Sequence, residues 1–329
     1  MRLDVHGLRV AATGDWPEVI DQLRLDFAWF EDTGTAGDPA VAITIERGRP
    51  DFASFGEVPA AFVTPRNVVY QLDGRTIVDY RGQAVSVLDR ATGSLRVRGE
   101  DPDLVHEAAY HYVLSRVGEH LDSSGLPRLH ALALSGASGA VAVLLPSGGG
   151  KSTLALRALR TPGVRLLSED SPLMDRRGRL HPFPLRIGFN ATDEVELPGA
   201  KLRTLERMEF HAKVALEVES FRDRVESEPQ PLRHLLIGSR TLGNGARLEP
   251  LPRRAAAGTL FREAVVGVGL YQGMEFVLQR GMRDVLSQAG PAATRAACCA
   301  ALVSRARVWR FTIGRDLDRN WETLEPLLR

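Results

Sequence analysis

The sequence predicts an α/β protein in which a small α+β domain precedes a larger domain. Short apolar strands and turns fill residues 1–100 around one early helix. Farther along, an aliphatic strand runs through a glycine-rich loop into a helix, and strands then alternate with helices. Such alternation is typical of a sheet covered by helices. We therefore predict one domain over residues 1–100 and a second over 101–329.

Composition excludes several functional classes. The 329 residues include 42 Lys+Arg and 41 Asp+Glu, which gives a net charge of +1. A chain so balanced has no basic field to attract nucleic acid or an anionic membrane. The longest apolar run, residues 131–146, is interrupted by GASG and cannot span a bilayer as one helix. No signal-peptide pattern begins the chain, and adjacent Cys298 and Cys299 fit a reducing compartment. We expect a cytoplasmic protein.

The first hundred residues predict strands and one helix. RLDVHGLRVAA (2–12) has the pattern of a strand, and DWPEVIDQLRLDFAWF (15–30) predicts a helix with Pro17 near its start. Residues 67–82 and 84–99 each contain a turn, DG or TG, between alternating apolar residues, which predicts two hairpins. This half shows no catalytic constellation, so we assign it to recognition or packing.

The second half opens with a predicted helix over 101–121. RLHALALS (128–135) and AVAVLL (140–145) predict two strands joined by a tight GASG turn. KSTLALRAL (151–159) predicts a helix, since Pro and Gly follow it. VRLLSED (164–170) then predicts another strand. Together these elements place the glycine-rich loop between a strand and a helix.

This loop, PSGGGKST (146–153), predicts a phosphate-binding site. Glycines let the backbone wrap an anion, and the amides and dipole of the following helix attract it. Lys151 would reach the β- and γ-phosphate oxygens of a nucleotide, and the Ser152 hydroxyl suits Mg²⁺. The predicted nucleotide-binding residues are Ser147, Gly148, Gly149, Gly150, Lys151, Ser152 and Thr153.

An acidic pair and a histidine accompany the loop. Glu169 and Asp170 end the strand over 164–170, which we expect beside the loop strand with its carboxyl end at the same edge. One carboxylate would hold Mg²⁺ with Ser152, and the other would accept a proton from an attacking hydroxyl. The sequence leaves open which of the two carboxylates binds Mg²⁺ and which accepts the proton. A hairpin would set His130 level with the loop, where an imidazole could contact phosphate or orient the base.

Three motifs together resemble the HPr kinase/phosphorylase family and its stand-alone relatives, which include peptide serine kinases. They are LHA (129–131), PSGGGKS (146–152) and LLSED (166–170), and the turn DRRGRLHPFP (175–184) is similar to one in the stand-alone relatives. The resemblance implies a P-loop kinase core of the HPr kinase/PEP carboxykinase type. It also implies ATP and Mg²⁺ as cofactors and transfer to a Ser or Thr of a peptide or small protein.

The matching catalytic residues are His130, Lys151, Glu169 and Asp170. The chain departs from the founding pattern at Leu145, which replaces the first loop glycine, and at Thr153, which stands where those members have Glu. Glu169 replaces an Asp. A later arginine-containing catalytic loop has no clear match, and Arg186 is the nearest candidate for an arginine that contacts phosphate. The absence of that loop weakens the case for the reverse, phosphorylase reaction more than the case for the kinase reaction.

Two other functions fit the same residues, because a phosphate-binding loop does not identify the acceptor. One is a nucleotide-gated ATPase or regulatory binding module without a phosphoacceptor. The other is a small-molecule kinase. The residues also leave open a homo-oligomer and the choice of ATP over GTP.

Overall fold

The computed structural model describes residues 1–34, 37–146, 148–190, 195–205, 212–261, 264 and 289–329. Within these ranges the protein has a mixed α/β fold with two eight-stranded sheets and a three-stranded sheet. This confirms the predicted α/β class. Among the helices that these ranges contain, none is long and apolar enough to cross a bilayer.

Strands of the first hundred residues form one sheet, in the order β1-β2-β3-β8-β7-β6-β5-β4. They are β1 (Arg2–Val5), β2 (Leu8–Gly14), β3 (Val41–Arg47), β4 (Ala60–Val63), β5 (Val68–Leu72), β6 (Arg75–Asp79), β7 (Ala84–Asp89) and β8 (Ser94–Gly99). Both predicted hairpins are confirmed, because β5 pairs with β6 and β7 with β8, each antiparallel.

The single strand predicted over 2–12 is wrong. His6 and Gly7 take positive φ values of 51° and 89°, and the chain reverses there between β1 and β2. Glycine adopts this region without strain, which makes the turn accessible to the sequence.

Two helices pack on this sheet: α1 (Pro17–Asp26) and α2 (Pro102–Ser123). The Asp101 side chain caps α2 by accepting hydrogen bonds from the N–H groups of Asp103 and Leu104, at 2.9 and 3.3 Å. Buried α2 residues join the core cluster of the first sheet, together with Phe27. The helix therefore packs with the N-terminal strands, although it follows the predicted boundary at residue 100.

The remaining described strands follow α2. They are β9 (Leu132–Gly136), β10 (Gly139–Leu144), β11 (Arg165–Ser168), β12 (Leu173–Met174), β13 (Arg179–His181), β14 (Ile187–Asn190), β15 (Leu202–Leu205), β16 (Lys213–Leu216), β17 (Gln230–Arg240), β18 (Arg247–Pro250) and β19 (Arg307–Ile313). The described helices of this half are α3 (Lys151–Arg160), α4 (Arg253–Phe261), α5 (Ala289–Arg305) and α6 (Leu317–Leu324).

The second large sheet contains a parallel centre. β17 runs parallel to β10 on one side and to β19 on the other. β9 pairs antiparallel with both β10 and β11, so the sheet runs β11-β9-β10-β17. The prediction that the strand ending in Glu169 and Asp170 lies beside the loop strand is wrong, because the tight β9–β10 hairpin puts β9 between them. Two reversals nevertheless bring the carboxyl end of β11 to the edge where β10 ends.

Helices cover both faces of this sheet, and the residues facing them differ in size. Leu132, Leu134, Val141 and Val143 share a buried cluster with α3 and with Trp321 of α6. The alternate alanines of β9 and β10 share another with α4 and α5, where Cys298 and Cys299 are buried. Small side chains on one face let α4 and α5 approach closely, and both cysteines are core residues.

The packing of β17 against the start of the loop gives a stability prediction. A Cβ on Gly238 would lie 2.4 Å from Leu145 Cδ2 and 2.8 Å from the Leu144 carbonyl oxygen. We expect Gly238→Ala to lower stability by about 1–3 kcal/mol, because overpacking forces backbone shifts. The measurement is the urea midpoint.

Gly258→Ala is the control for this change. Nothing lies within 4 Å of a Cβ at that exposed helical position, and we expect a gain of up to about 1 kcal/mol from helix propensity. Equal midpoints for the two variants would contradict the close approach at Gly238.

Candidate active site

Several chain segments end at one edge of the second sheet. The carboxyl ends of the parallel strands β10, β17 and β19 meet there, and β11 adds its own. A cavity of about 690 Å³ opens at this edge. Ligands of open α/β sheets bind outside the carboxyl ends of the strands, so this edge is the expected location of a site.

The three glycines of the loop serve different purposes. Gly148 and Gly150 have φ values of 70° and 104°, which other residues rarely adopt. Gly149 is required by space, because a Cβ there would lie 2.7 Å from the Pro146 carbonyl oxygen. All three line the cavity. Ser147, which we predicted to bind nucleotide, lies outside the described residues.

Helix α3 begins directly at the cavity. Its cap residue is Gly150, which has no side chain to satisfy the first N–H groups of the helix. The helix dipole adds roughly half a positive charge at this end. Lys151, Ser152 and Thr153 form the first turn and line the cavity. The N–H groups at this helix end can therefore donate hydrogen bonds to an anion such as phosphate, and the helix dipole stabilises its negative charge.

Three predicted catalytic residues meet at the side chain of Lys151. Its side chain is 6% exposed, and its Nζ donates to the Leu145 carbonyl oxygen at 3.0 Å. The same Nζ contacts His130 Nε2 and lies 3.3 Å from Asp170 Oδ1. His130 Nε2 in turn lies 3.2 Å from Asp170 Oδ1. The lysine, the histidine and one carboxylate thus form a triangle of mutual contacts at the cavity wall.

Backbone pairing explains how His130 and Asp170 meet. The register of β9 and β10 places Leu132 opposite Val143, so His130 lies level with the first residues of the loop. The Ala131 N–H donates to the Asp170 carbonyl oxygen at 3.1 Å. The predicted location of His130 beside the loop is confirmed, and β9 is the strand that carries it there.

Glu169 has a different partner from Asp170. The Ser152 hydroxyl donates to Glu169 Oε1 at 2.7 Å. Burial and the negative charge of Asp170 raise the pKa of Glu169 to about 7, against the opposing effects of Ser152, Lys151 and Lys213. The Asp170 side chain is 42% exposed and contacts two nitrogen groups instead. The two carboxyls are neighbours in sequence and influence each other electrostatically, but they contact different side chains.

Arg186 lines the cavity, as a residue that contacts phosphate must. Its Nη1 lies 2.6 Å from Asp26 Oδ2, and its Cζ lies 4.2 Å from the centroid of the Tyr110 ring. The sequence did not indicate either contact. Arg186 is thus held by residues of α1 and α2, the two helices that pack on the first sheet.

Arg240 was not predicted from the sequence. This residue ends β17, lines the cavity, and donates from Nη1 to the Gly148 carbonyl oxygen at 3.1 Å. The parallel register of β17 with β10 joins residues about ninety positions apart. Local hydrophobic patterns carry no record of that pairing. Arg128, Arg157 and Lys213 also line the cavity, which adds to its positive charge.

Helix α2 forms part of the cavity wall. His106, Tyr110 and Leu114 are spaced four residues apart and line the cavity, with His111 beside them. His106 also bonds Asp26 Oδ2 through Nε2 at 2.8 Å.

The oxygen groups around Ser152 fit the preferences of Mg²⁺. A serine hydroxyl and one or two carboxylates, completed by phosphate oxygens and water, make a common magnesium site. Ser152, Glu169 and Asp170 all line the cavity, and the Ser152–Glu169 contact joins two of them. In the part of the chain that the structure describes, no group of three or more His, Cys, Asp or Glu side chains forms a metal cluster. Such a cluster is not needed where phosphate supplies ligands.

No protein-family model matches the chain, and no curated protein matches it either. The function of the site is therefore inferred from its own residues, distances and charges.

The raised pKa of Glu169 gives a prediction about stability and pH. A carboxyl whose pKa rises on folding contributes stability that is full below its ordinary value of 4.5 and is lost as the pH rises through about 7. Glu169→Gln retains the shape of the neutral form and does not titrate. We expect its melting temperature to equal that of the unaltered chain at pH 4 and to exceed it by a few degrees at pH 8.

Glu249→Gln is the control, since Glu249 is exposed on β18. It is expected to follow the unaltered chain at both pH values. If Glu169→Gln did the same, Glu169 would not be protonated in the folded protein near neutral pH.

Proposed function

We propose that the protein is an ATP- and Mg²⁺-dependent phosphotransferase with a P-loop kinase core of the HPr kinase type. Its acceptor would be a Ser or Thr hydroxyl of a peptide or small protein. One observation carries the proposal: the acidic pair that ends β11 meets the lysine and serine that begin α3, through the Ser152–Glu169 and Lys151–Asp170 contacts of 2.7 and 3.3 Å.

Binding of a triphosphate is supported by the charges around the loop. The amides at the start of α3, the Lys151 ammonium and the guanidinium of Arg240 all border the same cavity. Catalysis of phosphoryl transfer consists mainly of positioning and neutralisation of charge. A cavity lined by several cations beside two carboxylates meets both needs.

The contacts support different roles for the two acids. Glu169 accepts from the Ser152 hydroxyl, so Ser152 and Glu169 would hold Mg²⁺. When bound, the metal neutralises phosphate charge. Asp170 contacts Lys151, the residue that would hold the terminal phosphate, so its carboxylate is the better placed to accept the proton. His130 orients that carboxylate from 3.2 Å.

The proposed transfer step balances without another reactant. The acceptor hydroxyl oxygen forms a bond to the γ-phosphorus while the bond from that phosphorus to the β–γ bridging oxygen breaks. Asp170 takes the hydroxyl proton, and ADP leaves with the bridging oxygen. Lys151 and the α3 amides remain bound to phosphate oxygens throughout, which stabilises the charge that develops there.

The two acids should respond differently to substitution. Asp170→Asn is expected to lower the rate of transfer from γ-³²P-ATP by about 10²–10⁴-fold with Mg·ATP affinity nearly unchanged. Glu169→Gln is expected to weaken the dependence of ATP affinity on Mg²⁺. Labelled protein or peptide products and titration calorimetry measure the two effects.

Glu226→Gln is the matched control, because Glu226 also accepts from a serine, Ser135, at 2.9 Å but does not line the cavity. It should leave both quantities unchanged. Label found only in free phosphate would indicate an ATPase, and label on a metabolite a small-molecule kinase. An unaltered chain that binds no Mg·ATP would exclude all three.

A further inference from the structure

Asp26 is a fully buried carboxylate outside the cavity. It is the last residue of α1, its side chain is 0% exposed, and three nitrogen groups surround it. Arg186 Nη1 lies at 2.6 Å and His106 Nε2 at 2.8 Å, and Arg203 Nη2 makes a short contact with the other oxygen. Burial alone would raise the pKa of Asp26, but these neighbours outweigh it and lower the pKa to about 2. The carboxylate is therefore ionised at neutral pH.

The partners of Asp26 differ in whether they line the cavity. Arg186 and His106 line the cavity, whereas Arg203 does not and is shared with Glu217 at 3.7 Å. Both arginine side chains are 15% exposed. One carboxylate thus holds two similarly buried guanidiniums, of which one faces the site and one does not.

Arg186 is constrained from two sides. Asp26 holds one end of the guanidinium, and the ring of Tyr110 lies 4.2 Å from its Cζ. Arg186 lines the same cavity as Lys151 and Asp170, the residues proposed to meet the terminal phosphate and the attacking hydroxyl.

We propose that Asp26 is a positioning residue, which holds Arg186 toward the terminal phosphate of the bound nucleotide. This inference rests on the proposed function. A flexible arginine gains effectiveness when its geometry is set before the ligand binds, because less ordering is left to occur on binding. The first half of the chain, through α1, would then contribute to the phosphate site without touching it.

Binding of two nucleotides tests the inference without a known acceptor. Titration calorimetry would compare Mg·AMP-PNP, a triphosphate analogue, with Mg·ADP. We expect Arg186→Gln to weaken analogue binding by about tenfold, the effect of one lost charge-assisted contact, with ADP binding nearly unchanged. Asp26→Asn should reproduce this selective loss. Arg203→Gln, which also removes a partner of Asp26, should change neither affinity.

The two arginine variants keep the test decisive if Asp26→Asn fails to fold. Asp26→Glu, which retains the charge and displaces Arg186, then replaces it and should also lose affinity for the analogue alone. Equal effects of Arg186→Gln and Arg203→Gln, or equal losses for both nucleotides, would overturn the inference while leaving nucleotide binding intact. An unaltered chain that binds neither nucleotide would overturn the proposed function as well.

Discussion

The parallel pairing of β10 with β17 determines where every group of the site can lie. Parallel strands bring their carboxyl ends to one edge, and each connection that leaves this edge can present side chains there. The loop before α3 leaves from β10, and Arg240 ends β17 and reaches back to Gly148. β11 follows the same direction because β9 reverses between it and β10.

Charge balance at this edge sets the chemistry. The start of α3 and Lys151 supply positive charge that one carboxylate alone would not match, and Glu169 and Asp170 lie next to each other in the chain. Their mutual repulsion helps to raise the pKa of Glu169. The two carboxyls nevertheless have different contacts: Glu169 accepts from Ser152, whereas Asp170 lies beside Lys151 and His130. These different contacts suit the different roles that we propose for the two acids.

Local chain patterns were enough to predict the loop, its helix, the two N-terminal hairpins and the location of His130, since each depends on neighbours in sequence. The acidic pair was predicted at the correct edge of the sheet but with the wrong neighbouring strand. The direction of β11 follows from the number of chain reversals, whereas the strand that lies beside it does not. Arg240 and Asp26 could not be predicted. Arg240 contacts Gly148, and Asp26 contacts Arg186. The partners in each contact are far apart in the chain, so no periodic pattern of the sequence indicates them.

Helix α2 links the first sheet to the cavity, and contacts with buried charged side chains hold it near both ends. Near its start His106 bonds Asp26, and near its end Asp122 accepts from Arg295 of α5 at 2.6 and 3.1 Å. Buried ion pairs contribute little net stability, but removing one partner leaves an uncompensated charge. Alternative placements of α2 are therefore strongly disfavoured. The same helix packs on the first sheet and lines the cavity with Tyr110. The N-terminal core therefore fixes the part of the cavity wall that α2 forms.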